Sequence, residues 1–138
     1  AAVLRSIAVP TVHVTCTEDV IHIPGYHSGL QDRLAIFDAI AHPHKLLAVF
    51  QGGSHSVLTD RTGTGGAALN AQVKRATAEL GLAFLDLVFA QDGSALAQWQ
   101  ATWRPILNVA PGDPGRVQGG GRGMQLVGRR RAWAPMAG

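Results

Sequence analysis

The stretch Ala8-Val-Pro-Thr-Val-His-Val-Thr-Cys16 decides the fold, because its β-branched residues predict a buried strand. A second apolar run, Leu46-Leu-Ala-Val-Phe50, ends at Gly52-Gly53 and predicts a second strand. Between them, apolar side chains from Leu30 to Ala41 recur at helical spacing, and Ser28-Gly-Leu-Gln31 has the form of a capping box at the start of that helix. Two strands joined through a helix form a β-α-β unit with parallel strands.

Two further helices are predicted after the second strand. A long amphipathic helix extends from Leu69 to Leu87, and a short one covers Ala95 to Trp103, with Trp99 and Trp103 as a packing stripe. The fold class is therefore α/β, with an incomplete sheet that looks like the end of a larger one, since parallel sheets normally contain several strands. An open strand edge of this kind predicts self-association through backbone pairing.

Length and composition predict one small domain. The chain has 138 residues, of which 46% are hydrophobic and 15% charged, so most of it is built to bury a core. Its apolar runs fall short of the ~18 residues that a membrane span needs, so no membrane partner is expected. Cys16 is the single cysteine, which excludes an intrachain disulfide.

The composition changes at Ala110-Pro111, so we assign residues 1–110 to the folded domain and residues 111–138 to a tail. The tail holds five of the 12 basic residues and eight of the 17 glycines. Such a segment buries too little apolar surface to offset its chain entropy and is predicted to be disordered. Arginine/glycine segments can bind phosphates, but Trp133 is the single aromatic residue here, so a nucleic-acid partner is not favoured. The lack of lysine fits our hypothesis that GC-rich DNA is read here in a shifted frame.

Two residues that could carry chemistry follow the predicted strands. Asp19 comes after the first strand, and His55 comes five residues after Phe50. Reactive residues of open parallel sheets collect beyond the carboxyl ends of the strands. A carboxylate there can accept the Nδ1–H of the imidazole and leave Nε2 to act as a general base toward a hydroxyl. The alternative interpretation is that Asp19 caps a loop and His55 is a solvated loop histidine.

Three segments resemble the C-terminal portion of the α/β-hydrolase family. VPTVHVTCTEDV (9–20) resembles the seventh strand, whose Pro-Thr-Leu-x-x-x-Gly-x-x-Asp pattern ends in the triad acid, and KLLAVFQGGSHSVLTDR (45–61) resembles the eighth strand and the histidine loop. RATAELGLAFLDLVFAQDGSALAQW (75–99) is similar to the last helices of bacterial esterases that resemble dienelactone hydrolases and platelet-activating-factor acetylhydrolases. The resemblance implies a serine esterase for carboxylic esters or lactones, with catalytic Asp19 and His55 and no dissociable cofactor.

The nucleophile of that family lies on a Gly-x-Ser-x-Gly elbow, and this sequence contains no such motif. The nearest candidate is Ser54 in Gly52-Gly-Ser-His-Ser56, which is followed by a threonine/glycine loop instead of a helix. The expectation is a fragment that carries the acid and the base and is inactive alone. The alternative is a non-catalytic remnant with a small α/β fold, whose basic tail binds anionic partners.

Other polar residues have simpler interpretations. His22 and His27 lie five residues apart beside Asp19 and are a conceivable ligand pair. Their spacing matches no zinc signature, so no metal site is predicted. Arg33, on the polar side of its helix, is expected to form a packing contact or a salt bridge.

Overall fold

The computed structural model describes residues 2–108, so the predictions for residues 111–138 lie outside it. The helices and strands are, in chain order, α1 (Ala2–Arg5), β1 (Thr11–Glu18), β2 (Ile21–Ile23), β3 (Tyr26–Ser28), α2 (Leu30–Ala39), β4 (Lys45–Ser54), α3 (Gly66–Leu85) and α4 (Ser94–Trp103). A π-helical turn at Asp86–Ala90 continues α3, and a 3-10 turn at Arg104–Ile106 follows α4. Within residues 2–108, no helix has the length and apolar character needed to cross a bilayer.

Strands β1 and β4 form a parallel two-stranded sheet. Their register runs from Thr11 opposite Lys45 to Cys16 opposite Phe50 and becomes irregular before Glu18. Because α2 lies between the two strands in the chain, the predicted β-α-β unit is present and the α/β class is confirmed. An irregularity of this kind bends a strand, and here it comes just before Asp19.

Helices α3 and α4 cover one face of the sheet and bury the main core. The core cluster joins alternate sheet residues to helix residues: Cys16, Leu46, Ala48, Phe50, Val57, Val73, Ala76, Leu80, Ala83, Leu87, Leu96 and Trp99. Helix α2 packs on the opposite face, where Phe37 meets the ring of His13 edge-on at 5.3 Å between centroids. Helices on both faces are typical of a parallel sheet, whose strands are normally buried on both sides.

The tryptophans of α4 attach this helix to α3. Trp99 is buried, and its Nε1–H donates to the carbonyl oxygen of Ala76 at 2.7 Å. Trp103 Nε1–H donates to Glu79 Oε2 at 2.8 Å. The predicted packing stripe is therefore confirmed, and each indole N–H has a partner.

The loop predicted between β1 and α2 contains an antiparallel hairpin that the sequence interpretation missed. Strands β2 and β3 pair Ile21 with Ser28 and Ile23 with Tyr26 around the turn Pro24-Gly25. Gly25 has a φ of +78°, which a proline–glycine turn accommodates because glycine has no Cβ. The hairpin turns the chain back immediately after Asp19.

The start of α2 also differs from the prediction. Gly29 is the N-cap, and the carboxylate of Asp32 accepts its backbone N–H at 2.9 Å. The predicted capping box of Ser28 and Gln31 is wrong, because the Ser28 hydroxyl instead accepts a hydrogen bond from Arg33.

Candidate active site

The carboxylate of Asp19 and the imidazole of His55 meet at the carboxyl ends of the two parallel strands. Asp19 Oδ1 lies 2.8 Å from His55 Nδ1. The two residues are 36 positions apart in the chain, so the parallel pairing of β1 with β4 creates the contact. The contact expected from the sequence is present.

The second oxygen of Asp19 is held by two other side chains. Thr15, four residues earlier on β1, donates its hydroxyl to Oδ2 at 2.8 Å. The Nε–H of Arg33 on α2 donates to the same oxygen at 3.4 Å. With Oδ2 occupied by these donors, Oδ1 is the oxygen presented to His55.

These contacts determine the charge of Asp19 and the tautomer of His55. Burial acts to raise the pKa of the Asp19 carboxyl, but hydrogen bonds from His55, Thr15 and Arg33, together with the Arg33 charge, hold that pKa below its ordinary value. An ionised carboxylate can only accept hydrogen bonds. Nδ1 of His55 must therefore carry the proton in this contact.

The opposite edge of the His55 ring is accessible. Its side chain is 58% exposed, against 12% for Asp19, and Nε2 has no hydrogen-bond partner within residues 2–108. A neutral imidazole with its proton on Nδ1 has an unprotonated Nε2. This nitrogen can take a proton from a hydroxyl placed beside it.

Two glycines at the end of β4 bring His55 to this position. Gly52 and Gly53 have φ values of +73° and +82°, a region that other residues rarely adopt. A Cβ on Gly53 would lie 3.1 Å from the Sγ atom of Cys16, so a larger residue there would press against the end of β1. The backbone N–H of Gly52 also donates to Thr17 Oγ1 at 2.8 Å, which joins the ends of β4 and β1.

Cys16 lies beneath this turn as a buried thiol. It is 1% exposed, as expected for a small apolar residue at a strand end. Burial, with a smaller contribution from the charge of Asp19, raises the pKa of the Cys16 thiol to about 12. Cys16 is therefore neutral at physiological pH and is not a nucleophile of this site.

Ser54 lacks the surroundings of an activated nucleophile. Its Oγ lies 3.0 Å from Ser56 Oγ and packs against Gly63. The next helix, α3, begins only at Gly66, so a strand–turn–helix elbow does not form around this serine. The structure agrees with the sequence interpretation that the Gly52–Ser56 segment is not a nucleophile elbow.

The histidine pair that suggested a metal lies on the hairpin. His22 and His27 are exposed cross-strand partners with ring centroids 5.7 Å apart. Among residues 2–108, no group of three or more histidine, cysteine or acidic side chains could hold a metal ion. Two imidazoles alone are fewer than the three protein ligands typical of a catalytic zinc site.

Sequence reasoning missed the residues that surround the carboxylate of Asp19. Thr15 was assigned only to the strand, although its position four residues before Asp19 offered a local signal. Arg33 forms the salt bridge expected of it, but its partner could not be named because the missed hairpin brings it to Asp19. Ser28 was interpreted as a helix cap and instead binds the guanidinium of Arg33 at 2.6 Å.

The protein is thus a small α/β fold that carries a carboxylate–histidine pair at the carboxyl end of its parallel strands. Comparison of the chain with protein-family models, curated proteins and solved structures gave no significant match. A functional assignment therefore depends on the geometry of this pair and on the motifs around it.

Proposed function

We propose that this chain is the C-terminal part of an α/β-hydrolase, a serine esterase acting on carboxylic esters or lactones. The observation that carries the proposal is the 2.8 Å contact between Asp19 Oδ1 and His55 Nδ1 at the ends of adjacent parallel strands. The same contact orients the imidazole in a Ser-His-Asp triad. The alternative of a solvated loop histidine does not explain why the partner of His55 is a buried carboxylate that accepts hydrogen bonds from three side chains.

His55 is the proton carrier of the proposed reaction. A serine hydroxyl attacks the ester carbonyl carbon while its proton passes to Nε2 of His55. The bond from the carbonyl carbon to the alcohol oxygen then breaks, and Nε2 returns the proton to the departing alcohol. Water repeats both transfers on the acyl-enzyme. Asp19 stays ionised throughout and stabilises the imidazolium formed at each stage.

In this proposal the nucleophile and the oxyanion donors come from polypeptide outside this sequence. The reason is that no Gly-x-Ser-x-Gly motif is present, and Ser54 makes its hydrogen bond with Ser56, not with His55. A base without a nucleophile or oxyanion donors leaves the acyl-transfer transition state almost unstabilised, since one such donor is worth ~10²–10³ in rate. The chain alone is therefore proposed to be inactive.

The test measures hydrolysis of a short-chain p-nitrophenyl ester together with labelling by a fluorophosphonate probe. We expect neither with the pure 138-residue chain. Turnover and labelling should appear when the chain is co-expressed with the polypeptide encoded directly upstream of it. His55→Ala should then abolish turnover, whereas His22→Ala, an exposed histidine of the hairpin, should leave it unchanged.

Three outcomes would count against the proposal. Co-expression without any turnover would contradict the proposal, and turnover that survives His55→Ala would show that another group is the base. Turnover by the pure chain that is abolished by Ser54→Ala would instead identify the Gly52–Ser56 turn as the nucleophile site.

We further propose that the open edge of β1 causes the isolated chain to self-associate. The Thr11 N–H bonds to His44 O on the β4 side, so strand alternation directs the N–H of Val12 and Val14 to the other edge. Within residues 2–108, the only strand paired with β1 is β4. Unpaired strand edges pair with other chains. Sedimentation velocity should show association that grows with concentration, and a monomer at all concentrations would contradict this.

A further inference from the structure

We infer that Arg33 is a positioning residue, whose guanidinium holds Oδ2 of Asp19 so that Oδ1 faces Nδ1 of His55. The inference deepens the proposed function and rests on it for its catalytic meaning. The hydrogen bonds of Arg33 within residues 2–108 go to Asp19 and Ser28, so it acts on His55 through the carboxylate.

The guanidinium of Arg33 is fixed at two points. Its Nε–H donates to Asp19 Oδ2 at 3.4 Å, and its terminal NH1 group donates to Ser28 Oγ at 2.6 Å. The side chain is only 20% exposed, so it is no freely moving surface arginine. A planar guanidinium that binds two oxygens in different directions has little freedom to rotate.

Ser28 provides the fixed point because it is itself part of the hairpin. It is 2% exposed and pairs with Ile21 across the β2–β3 ladder. The hairpin that follows Asp19 therefore places the Ser28 hydroxyl where it orients the guanidinium of Arg33, the partner of Asp19. The hairpin and the N-terminal turn of α2 thus become part of the support of the site.

The consequence for His55 concerns its proton. The ionisable groups that face Asp19 are His55 from the β4 end, Arg33 from α2 and the thiol of Cys16 from β1. The thiol is neutral, so Arg33 is the permanent positive charge beside the carboxylate. Its hydrogen bond occupies Oδ2 and leaves Oδ1 for His55, which fixes the proton of His55 on Nδ1 and leaves Nε2 as the base.

The test reads the tautomer of His55 directly, by long-range ¹H–¹⁵N correlation spectra of the full 138-residue chain. The wild type should show neutral His55 mainly with its proton on Nδ1. Arg33→Gln should lose this predominance, and the Nδ1 and Nε2 signals should move toward a common averaged shift. Arg75→Gln is the matched control, since Arg75 forms a 2.8 Å ion pair with Glu79 on the surface of α3. It should leave the His55 signals unchanged.

Ser28→Ala separates positioning from charge and also serves if Arg33→Gln does not fold. It keeps the guanidinium charge and removes the hydroxyl that orients it, together with the hydrogen bond of that hydroxyl to Asp32, so we expect a smaller shift in the same direction. Arg33→Lys keeps the charge but not the planar fork and should not restore the wild-type spectrum fully. A folded Arg33→Gln protein with the wild-type tautomer would overturn the inference, as would an equal change in Arg75→Gln.

This readout does not depend on ester hydrolysis. If the tautomer shifts as expected but co-expression gives no turnover, the proposed function fails while the positioning role of Arg33 stands. If turnover appears but Arg33→Gln leaves the tautomer of His55 unchanged, the positioning role fails and the proposed function stands.

Discussion

The face of the sheet that α3 and α4 cover, here called the helical face, and the carboxyl end of the sheet are stabilised in different ways, although only residues 51–54 separate Phe50 on the one from His55 at the other. Phe50 on the helical face is 0% exposed and packs edge-on against Trp99, with ring centroids 6.4 Å apart. His55 at the carboxyl end is mostly exposed and is held by one directional contact to Asp19. Apolar burial is non-directional and scales with area, whereas a hydrogen bond weakens steeply with angle and distance. Substitutions in the core should therefore mainly lower stability, whereas substitutions at the carboxyl end should mainly change the contact between Asp19 and His55.

Phe50→Ala should give the largest loss of stability. Truncation of a fully buried phenylalanine costs about 3–5 kcal/mol through lost transfer energy and the cavity left behind. Phe50 shares one buried face of β4 with Leu46 and Ala48 and belongs to the same core cluster as residues of α3 and α4, so little can collapse into that cavity. Urea unfolding followed by circular dichroism measures the change. A loss below about 1 kcal/mol would show that α3 and α4 do not pack on the sheet as described.

Gly53→Ala tests the turn that connects the two regions and should rank second. Gly53 has a φ of +82°, and a new Cβ would lie 3.1 Å from Cys16 Sγ and 3.2 Å from Val57 Cγ2. Placing a residue with a Cβ in the left-handed region costs about 1–3 kcal/mol. We expect the same urea measurement to show a loss in this range. An unchanged midpoint would mean that the chain does not need a glycine there.

The elements that the sequence predicted correctly are those marked by composition or period. The β-branched run before Cys16 and the apolar run ending at Phe50 correspond to β1 and β4, and the helical spacing after Leu69 corresponds to α3. The β2–β3 hairpin was missed because its strands have three residues each and its turn is Pro24-Gly25. Proline followed by a glycine with positive φ is typical of a type II turn, which hairpins use less often than the primed turns.

The candidate site was predictable for a similar reason, and only in part. Asp19 and His55 each follow a recognisable strand, so parallel pairing alone brings them to one edge of the sheet. Arg33 reaches Asp19 only because the hairpin returns the chain beneath it, and Ser28 binds Arg33 only because α2 begins at Gly29. Contacts between residues that a hairpin brings together have no periodic pattern in the sequence, so sequence analysis cannot predict them.

Asp19→Asn should cost about 1.5 kcal/mol at neutral pH, the lower end of the value of a hydrogen bond to a charged group, because the amide oxygen of asparagine can still accept hydrogen bonds. Its effect should also depend on pH. Hydrogen bonds from His55, Thr15 and Arg33 outweigh burial and lower the pKa of Asp19 in the folded state, so the unfolded chain binds a proton more readily. The contribution of ionised Asp19 is therefore complete above the ordinary aspartate pKa of about 3.9 and is lost as pH falls through the lower folded value.

The measurement compares the free energy of unfolding of the wild type and Asp19→Asn between pH 7 and pH 2.5. Among residues 2–108, four other carboxyls, of Asp32, Asp60, Glu79 and Asp92, also have lowered pKa values in the folded chain. They titrate in both proteins, so their contributions cancel in the difference between the two. That difference should shrink below about pH 4. A difference that stays constant with pH would contradict an ionised, hydrogen-bonded Asp19.

Gly81→Ala should give the smallest effect and the opposite sign to Gly53→Ala, which makes the two a matched pair. Gly81 lies inside α3, its φ is not positive, and a Cβ there would meet nothing within 4 Å. Alanine in a helix interior is favoured over glycine by about 0.5–1 kcal/mol because the unfolded chain loses less entropy on folding. The variant should unfold at higher urea and leave the His55 imidazole signals unchanged, since α3 stabilises the sheet without contacting the carboxylate. Destabilisation by Gly81→Ala would show that another surface packs against this part of α3, and altered His55 signals would show that the helical face and the carboxyl end are coupled.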